Sequence, residues 1–441
     1  MKVVHAIRPA KICTLIAVSC TLIAAQDDAH GVNGVNGEIA REASLFVPVT
    51  EGGGGRPPRS SSGVNPTFLD CNQNQQSDSI DISTGASEDV NGNFIPDECP
   101  SECDLQISGE FFFSAVENTI NTLVDVNQDG IHWLCFANGT IVLEPLNFNN
   151  QRIEITRNDV YLYARPGSSV LMKNQGNSVS PSELANSVLY VNGVQNFRIS
   201  NLDLTAEGAS GSGLVIDGST NVRVTNLLAS TMESAALYIK NSIVDEVNGM
   251  QHLDNIFSNY RTQIYVSGST VKAIKNAVLK SGLGVETSTI DLISGVDTSY
   301  VDYLGHVPYG TSFAIYSASE IETLENSIIG RGMTLDGSSR IERISNVNIS
   351  QKYVHGIEMR PGAEIGIIEN TFIQAYWGAI GMRTNFPSGS CVPGPSVIDV
   401  ISDSEFRSAL DIHIEDGCGQ VNQILNVACY SYGGGTVHSC I

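Results

Sequence analysis

The sequence predicts an all-β solenoid, in which a short repeated unit winds around a continuous apolar core. The unit holds two or three short alternating strands, it recurs ten times, and no stretch with helical periodicity interrupts it. The clearest copy lies within residues 333–354: a Met-Thr-Leu strand, a Gly-Ser-Ser turn and a second strand that ends at an asparagine. One unit cannot bury its apolar side chains alone, so the copies are expected to stack, each strand pairing with its equivalents above and below.

An asparagine marks one corner of most coils, and the residue two positions before the corner is aliphatic in all ten copies. We expect the aliphatic residues, such as Ile344, to form a stacked core column. We expect the asparagine amides to turn inward and bond the backbone and one another as part of the scaffold. The corner positions are Asn201, Asn226, Asn255 (preceded by Leu253), Asn276, Gly295, Asn326, Asn346, Asn370, Asp403 and Asn426.

This pattern resembles that of the right-handed parallel β-helix proteins, the pectate-lyase-like superfamily, over roughly residues 140–430. The resemblance implies a single-stranded right-handed parallel β-helix. It also implies a substrate groove along the strand that precedes the first turn of each coil. In this sequence those strands run from Leu189–Val191 in the first regular coil to Ile412–Ile414 in the last.

Other segments flank the regular coils. Residues 1–25 have the features of a secretory signal, with three basic residues and then an apolar run of fourteen residues that is too short to span a membrane. Lipoprotein cleavage before Cys20 is an alternative. Residues 26–66 are rich in Gly, Ser and Pro and are predicted to be a disordered linker. We expect an N-terminal cap and the first coils in residues 105–186, with a short capping helix within 111–124, the regular coils in 187–430 and a C-terminal tail in 431–441.

The net charge of −23 becomes −26 once the three basic residues of the signal are removed. A surface this acidic argues against nucleic acid and anionic membranes as partners, and it disfavours polyanionic substrates unless the groove is locally basic. No other stretch of the sequence could cross a bilayer. We therefore expect a secreted protein, located in the extracellular medium, at the cell surface or in the periplasm.

Residues 67–104 contain two loops that align at an offset of 19 and place oxygen ligands at positions 1, 3, 5 and 9, the spacing of an EF-hand-like calcium loop. The pair resembles the dockerin-like and thrombospondin type 3-like calcium repeats of Planctomycetes-type secreted proteins. Position 12 is Pro100 in the second loop, which should therefore be weaker or use Glu98 or Glu102. The alternative is an Asn- and Asp-rich surface turn. The predicted calcium ligands are Asp70, Asn72, Asn74, Gln76, Asp78 and Asp81 in the first loop and Asp89, Asn91, Asn93, Ile95 and Asp97 in the second, with carbonyl oxygens from Gln76 and Ile95.

Eight cysteines remain after removal of the signal, an even number that favours disulfides in an exported protein. In the calcium repeats that the loops resemble, the positions reciprocal to Cys71 and Cys99 are often cysteine. Both of those positions lack cysteine here, which implies that Cys71 and Cys99 bond each other. The predicted pairs are Cys71–Cys99, Cys391–Cys418 in turns of neighbouring coils, Cys429–Cys440 between the last coil and the tail, and the remaining Cys103–Cys135.

No Gly-x-Ser-x-Gly, His-Glu-x-x-His, phosphate-loop or Rossmann motif occurs, nor do the motifs of polygalacturonases and pectate lyases. The remaining candidates are the outward side chains of the groove strands. These are tyrosine-rich in the N-terminal half and charged in the C-terminal half. Tyr238 and Tyr265 are candidates for stacking on sugar rings, or they form a cross-strand aromatic ladder that only supports the sheet.

In the charged half, Arg360 and Arg383 occupy the same column on successive coils, where they would hold a uronate or sulfate group. His413 would act as an acid or base on a bound glycan. Tyr376 and Trp377, in a nearby turn, would form an aromatic wall.

Two other interpretations of the charged half stay open. A hydrolase would pair Glu358 with Glu415, roughly 9–10 Å apart, at the upper edge of the inverting separation. A salt ladder of Asp336 with Arg360 and of Glu415 with Arg383 would contribute only about 0–1 kcal/mol per exposed pair.

Two classes of function therefore remain. The protein is a lyase or hydrolase of a cell-wall or matrix polysaccharide, or it is a non-catalytic surface or matrix protein that binds glycans or spaces other parts. The absence of a family motif favours the second class, and the charged groove favours the first, because the fold alone does not decide function.

Overall fold

The computed structural model describes residues 86–87, 103–126, 129–143, 152–174, 187–206, 212–230, 235–252, 263–280, 282–299, 312–351, 355–383, 394–415, 418–431 and 440. The predicted signal peptide, the linker and the two calcium loops with Cys71 and Cys99 lie outside these residues. The described residues form strands almost throughout, with one helix.

Parallel strands stack into three faces that run the length of the solenoid. The long sheet consists of β1 (Leu105–Ile107), β3 (His132–Phe136), β6 (Val160–Ala164), β9 (Gln195–Ser200), β12 (Thr220–Thr225), β15 (Ile243–Asn248), β18 (Thr270–Lys275), β20 (Thr289–Ser294), β22 (Glu320–Glu325), β25 (Arg340–Ser345), β28 (Glu364–Glu369), β31 (Ser396–Ser402) and β34 (Gly419–Leu425). The groove sheet consists of β5 (Ile153–Ile155), β8 (Leu189–Asn192), β11 (Leu214–Asp217), β14 (Leu237–Lys240), β17 (Ile264–Ser267), β19 (Leu283–Glu286), β21 (Phe313–Tyr316), β24 (Met333–Leu335), β27 (His355–Met359), β30 (Gly378–Met382) and β33 (Leu410–Ile414).

The third face is built from two shorter sheets, joined by single-residue bridges at Val278 and Asp297. The first consists of β2 (Glu110–Phe112), β4 (Ile141–Leu143), β7 (Leu171–Asn174), β10 (Asp203–Ala206), β13 (Leu228–Ser230) and β16 (Gln251–His252). The second consists of β23 (Ile328–Ile329), β26 (Asn348–Gln351), β29 (Phe372–Ala375), β32 (Glu405–Ser408) and β35 (Ala428–Ser431).

The chain is therefore a right-handed parallel β-helix, as the sequence predicts. Each groove strand lies beside its equivalents from the coils on either side: Ile239 pairs with Ile216 and with Val266. All the predicted groove strands, from Leu189–Val191 to Ile412–Ile414, belong to the groove sheet.

The aliphatic column before the corner forms the core on the inner side of the long sheet. Ile344 is fully buried and pairs with Leu324 and Ile368, which are buried too. The predicted register is wrong in one coil. There Val247 pairs with Val224 and Ile274, so Val247 takes the place assigned to Leu253, which lies outside the described residues with Asn255.

The corner asparagines adopt the left-handed backbone conformation, with φ near +50° at Asn326 and Asn346. The prediction that their amides turn inward is wrong, because the described corner asparagines are exposed, except for Asn201, which is half-buried and donates from Nδ2 to the Ala164 carbonyl. They do bond one another along the stack: the Asn346 Nδ2 donates to Asn326 Oδ1 at 2.5 Å. The corner thus selects asparagine because it tolerates positive φ and can pair with its neighbour outside the core.

A column of buried serines lines the turn from the groove sheet to the long sheet. Backbone N–H groups of Ser219, Ser242, Ser269 and Ser288 each donate to the hydroxyl of the equivalent serine in the next coil, ending at Ser319, over 3.0–3.3 Å. The hydroxyls of the first four each donate to the carbonyl two residues earlier. This serine ladder satisfies backbone groups that the turn would otherwise leave buried and unpaired.

The N-terminal end is covered by α1 (Phe113–Thr122), which lies within the segment expected to form a capping helix. Phe113, Val116 and Ile120 are buried and join the solenoid core. A cap of this kind is needed because the first coil has no preceding coil to cover its apolar side chains.

Two disulfides lie at the ends of the solenoid, Cys103–Cys135 and Cys429–Cys440, and both are pairs expected from the sequence. Cys418 is also disulfide-bonded, while its predicted partner Cys391 lies outside the described residues. In the part of the chain that the structure describes, no helix is long and apolar enough to cross a membrane.

Candidate active site

The outward face of the groove sheet is only partly accessible. The central outward residue of each strand is buried on most coils. It keeps partial exposure at Glu154 in β5 and at two openings further along the sheet, the first around Tyr238 and Tyr265 and the second around Glu358 and His413. The buried positions are Tyr190, Val215, Gly284, Ala314, Thr334 and Gly381.

The first opening has the character of a supporting ladder. The Tyr238 and Tyr265 rings pack edge to face with centroids 5.3 Å apart. The Tyr265 hydroxyl donates to Glu286 Oε2 at 2.5 Å. Burial, followed by this hydrogen bond to a carboxylate, raises the pKa of the Tyr265 hydroxyl above its ordinary value. Both rings are thus engaged with neighbours within the sheet, as the ladder interpretation expects.

The second opening contains an alternating chain of charges, Asp336, Arg360, Glu358 and Arg383, which includes three of the five candidate catalytic residues. Arg360 lies 3.5 Å from Asp336 and 3.9 Å from Glu358, and Arg383 lies 3.8 Å from the other oxygen of Glu358. The Glu358 side chain is only 17% exposed, against 46% for Arg360 and 36% for Arg383. The carboxylate is therefore more buried than the two guanidinium groups and is their shared counter-ion, while both guanidinium side chains keep access to solvent.

A residue that the sequence analysis missed, His355, completes this opening. Its imidazole is 2% exposed, and its Nδ1 lies 3.2 Å from Arg383 Nη2. It stacks on His413, with ring centroids 5.8 Å apart and planes inclined by 20°. The structure thus brings together Arg383, His355 and His413, with Glu358 beside them.

Two glycines on β30 make room for the His355 ring. A Cβ at Gly381 would lie 2.4 Å from His355 Cγ, and a Cβ at Gly378 would lie 2.7 Å from Cδ2. Both distances are shorter than van der Waals contact, so any side chain at either position would displace the imidazole. Two glycines in one groove strand are therefore a sequence signal that a side chain from a neighbouring coil, here His355, occupies the space above them.

The hydrogen bond to Arg383 fixes the tautomer of His355. Arginine has no acceptor, so His355 Nδ1 must accept, and the ring proton belongs to Nε2. His355 Nε2 and His413 Nδ1 are buried and have no hydrogen-bond partner among the described residues. A buried polar atom without a partner costs about 1–3 kcal/mol.

Burial, and then the positive charge of Arg383 and the neighbouring His413, lowers the pKa of His355 to about 4, from an ordinary value of 6.5. The unfolded chain protonates this histidine near pH 6.5, whereas the folded chain resists until about pH 4. The neutral ring therefore contributes stability at neutral pH that is lost as the pH falls between these values.

We expect the free energy of unfolding to decrease on acidification from pH 6.5 to 4, with a contribution from His355 of at most about 3 kcal/mol. His355→Asn should flatten this part of the profile, because asparagine does not titrate. The measurement is urea unfolding of both proteins across this range, and carboxylates that titrate in both proteins cancel in the difference. Parallel profiles would contradict the assignment.

Tyr376 and Trp377 lie in the turn between β29 and β30 and are about half exposed, at 52% and 53%. Trp377 immediately precedes Gly378, which contacts His355, and its carbonyl accepts from the Leu410 N–H at 2.8 Å. The predicted aromatic wall therefore stands at the edge of the second opening. Glu415 follows the end of β33, where its N–H donates to the Met382 carbonyl.

The calcium ligands predicted from the sequence lie outside the described residues. Among the residues that are described, no three His, Cys, Asp or Glu side chains come together in a way that could hold a metal ion. The second opening consists of arginine, histidine and carboxylate side chains.

No family model matches the chain, and no curated protein sequence matches it either. Solved structures with a similar trace include the mannuronan C-5 epimerase AlgE6 A-module of Azotobacter vinelandii (12% identity, 74% of this chain, 96% of that chain, TM-score 0.39). Others are the GH136 lacto-N-biosidase of Eubacterium ramulus (9%, 73%, 68%, 0.33) and PfbA, a surface adhesin of Streptococcus pneumoniae (10%, 76%, 88%, 0.26). At these TM-scores the likenesses do not bear on what this chain does.

Proposed function

We propose that this β-helix protein is exported and acts on an extracellular polysaccharide at the opening formed by Arg360, Arg383, His355 and His413. The observation that carries the proposal is the stack of His355 on His413 beside Arg383, with the His413 ring partly exposed on the groove sheet. Histidine is the side chain that most often transfers protons to or from a bound ligand.

The chemistry that fits these residues best is β-elimination on a uronate. The outer N–H donors of Arg360 and Arg383 would bind the carboxylate, which acidifies the neighbouring C–H bond. His413 would remove that proton, the electron pair of the C–H bond would form the C=C bond, and the adjacent glycosidic C–O bond would break with its electrons going to the oxygen. The departing oxygen would take up a proton from protonated His413 or from water. The half-exposed Trp377 would stack on a flanking sugar ring.

Hydrolysis by Glu358 and Glu415 is less well supported. The two oxygens of Glu358 each lie within 4 Å of an arginine nitrogen, at 3.9 and 3.8 Å, beneath the guanidinium groups. A hydrolase needs both carboxyl groups to face the glycosidic bond or a water. Glu358 is placed instead as a counter-ion that holds Arg360 and Arg383 in position.

The charges at the opening also limit the substrate. Each arginine already has a carboxylate neighbour, so the opening is not strongly basic, and the chain as a whole carries a net charge of −23. A continuous polyanion would be repelled by the rest of the surface. The proposal therefore favours a glycan with isolated acid groups, such as a neutral backbone bearing occasional uronates.

The test is a screen of the purified protein against neutral, uronate-substituted, polyuronate and sulfated polysaccharides, with and without calcium. New reducing ends together with unsaturated products would support a lyase, and reducing ends alone a hydrolase. Binding of a glycan without either product would support the alternative, a non-catalytic surface or matrix protein. That alternative is favoured by the tyrosine ladder and by the alternating ion pairs, which are compatible with a purely structural sheet.

We also propose that the two loops in residues 67–104 each bind one calcium ion. Asp70 and Asp89 occupy the first ligand position of the loops, where a carboxylate is the usual ligand. We expect titration calorimetry of the full chain to show calcium binding at or below millimolar concentration, and the double variant Asp70→Asn, Asp89→Asn to lose it. Absence of calcium-dependent heat in the parent, or its persistence in the double variant, would contradict this assignment.

A further inference from the structure

We propose that His355 is a positioning residue, which holds the Arg383 guanidinium in its ligand-binding orientation by accepting a hydrogen bond from beneath it. This inference rests on the proposed function, because that function makes Arg383 a ligand-binding residue. The contact between His355 and Arg383 itself does not depend on which substrate is bound. The observations that carry it are the 3.2 Å contact between His355 Nδ1 and Arg383 Nη2, the near-complete burial of the imidazole, and the space left for it by two glycines.

Arg383 has two anchors on its inner side. Glu358 Oε2 lies 3.8 Å from its Nε, and His355 Nδ1 lies 3.2 Å from its Nη2. Only the His355 contact is short enough for a hydrogen bond, and that bond restricts rotation of the guanidinium plane, which the longer ion pair with Glu358 would leave free. With both anchors in place, the remaining N–H donors are directed outward, where the carboxylate of a glycan would reach them.

His355 can serve only in its neutral form, with the proton on Nε2, because a protonated Nδ1 cannot accept from arginine. Its surroundings favour this state. The ring is buried between coils, with Arg383 on one side and His413 stacked against it, and Glu358 on its own strand is directed to the arginines. The pKa of about 4 means that His355 stays neutral throughout the mildly acidic range. Below that value a second cation would face Arg383 and push it away.

Two substitutions separate the hydrogen bond from the packing. Asparagine at position 355 keeps an acceptor close to the place of Nδ1, whereas leucine fills a similar volume without any acceptor. His132 supplies the matched control, since it lies on the long sheet with its Nε2 2.9 Å from Arg157 Nη2. His132→Leu removes another histidine–arginine contact, on coils at the other end of the solenoid from the second opening.

The first measurement is binding of a glucuronate-substituted xylo-oligosaccharide to the full chain at pH 7. We expect His355→Leu to weaken binding about 10- to 100-fold, the range for loss of one hydrogen bond to a charged group, and His355→Asn to weaken it by less than about threefold. His132→Leu should bind as the parent does. The parent should lose affinity as the pH falls through about 4 more steeply than His355→Asn does. Equal affinity of parent and His355→Leu, or equal losses in the Asn and Leu variants, would overturn the proposal.

The second measurement needs no glycan. Nitrogen-15 spectra of the histidine-labelled parent should show His355 at pH 7 as the neutral tautomer with a bare Nδ1, identified by its disappearance in His355→Asn. A protonated Nδ1 would overturn the proposal even if every variant folds and binds. Failure of the parent to bind any acidic glycan, with the expected tautomer present, would instead refute the proposed function and leave the role of His355 intact.

Discussion

His413→Ala is expected to lower the turnover of the polysaccharide substrate by about 10²–10⁴-fold, the usual loss when a positioned acid or base is removed. The loss should appear in kcat rather than in KM, because the imidazole accepts the proton in the transition state and does not contribute to binding of the glycan in the ground state. The measurement is the initial rate of formation of unsaturated product from the best substrate of the polysaccharide screen.

Two comparisons make this result specific. Arg383→Ala should raise KM as well as lower kcat, since it removes a group that binds the substrate in both states. Arg343→Ala is the matched control, because Arg343 is similarly exposed and also paired with a glutamate, Glu369, but on the long sheet. If His413→Ala and Arg383→Ala bind and turn over every glycan as the parent does, this face of the groove sheet is only scaffold.

Ile344→Ala is expected to lower the free energy of unfolding by about 2–5 kcal/mol, the usual range for truncation of a large buried aliphatic side chain. Ile344 is fully buried and is packed between Leu324 and Ile368 in the coils on either side. Loss of three carbons there would leave a cavity that neighbouring coils cannot close, because their spacing is fixed by backbone hydrogen bonds. Urea unfolding followed by circular dichroism gives the value.

Ile328→Ala provides the comparison, because Ile328 lies in β23 on the third face and is 41% exposed. It should change the free energy of unfolding by no more than about 0.5 kcal/mol, as most surface substitutions do. A loss below about 1 kcal/mol in Ile344→Ala would mean that the core column has been assigned in the wrong register.

The coil pattern could be predicted from the sequence because its two signals, the alternation of apolar residues in the strands and the asparagine at the corner, are both local. A period-2 alternation places Ile239 and its equivalents inward whatever their neighbours are. The register failed at Leu253 because Val247 offers the same local signal six residues earlier. The strand pairs through Val247, and the turn is made by Gly249, which has a φ of +69°. Only pairing with the adjacent coils, which the sequence pattern does not contain, distinguishes the two.

The direction of the corner asparagines was misjudged for a different reason. Stacked asparagines can bond one another whether their side chains face the core or the solvent, so the sequence pattern does not distinguish the two directions. The positive φ at Asn326 and Asn346 decides the matter, because it turns the side chains out to solvent. Backbone conformation of this kind is favoured by residue type but is not fixed by it.

The candidate site could be predicted in part. Arg360, Arg383 and His413 could be predicted, because the alternation of side-chain direction along a strand places them on the outward face of the groove sheet. His355 could not be found in that way, since it lies outside the column and reaches the site only by crossing the space above two glycines of the next coil.

The serine ladder has a consequence for how a molecule of this kind can change in length. In the serine ladder, the backbone N–H of each serine donates to the serine hydroxyl of the next coil. If one coil is removed, the two coils that then become neighbours therefore present a matching donor and acceptor. A duplicated or deleted coil within the ladder therefore keeps these turn hydrogen bonds at the junction. Genetic gain or loss of a whole coil between Ser288 and Ser319, which separates the first opening from the second, would shift the distance between the two openings in steps of about 4.8 Å, while each opening kept its own residues.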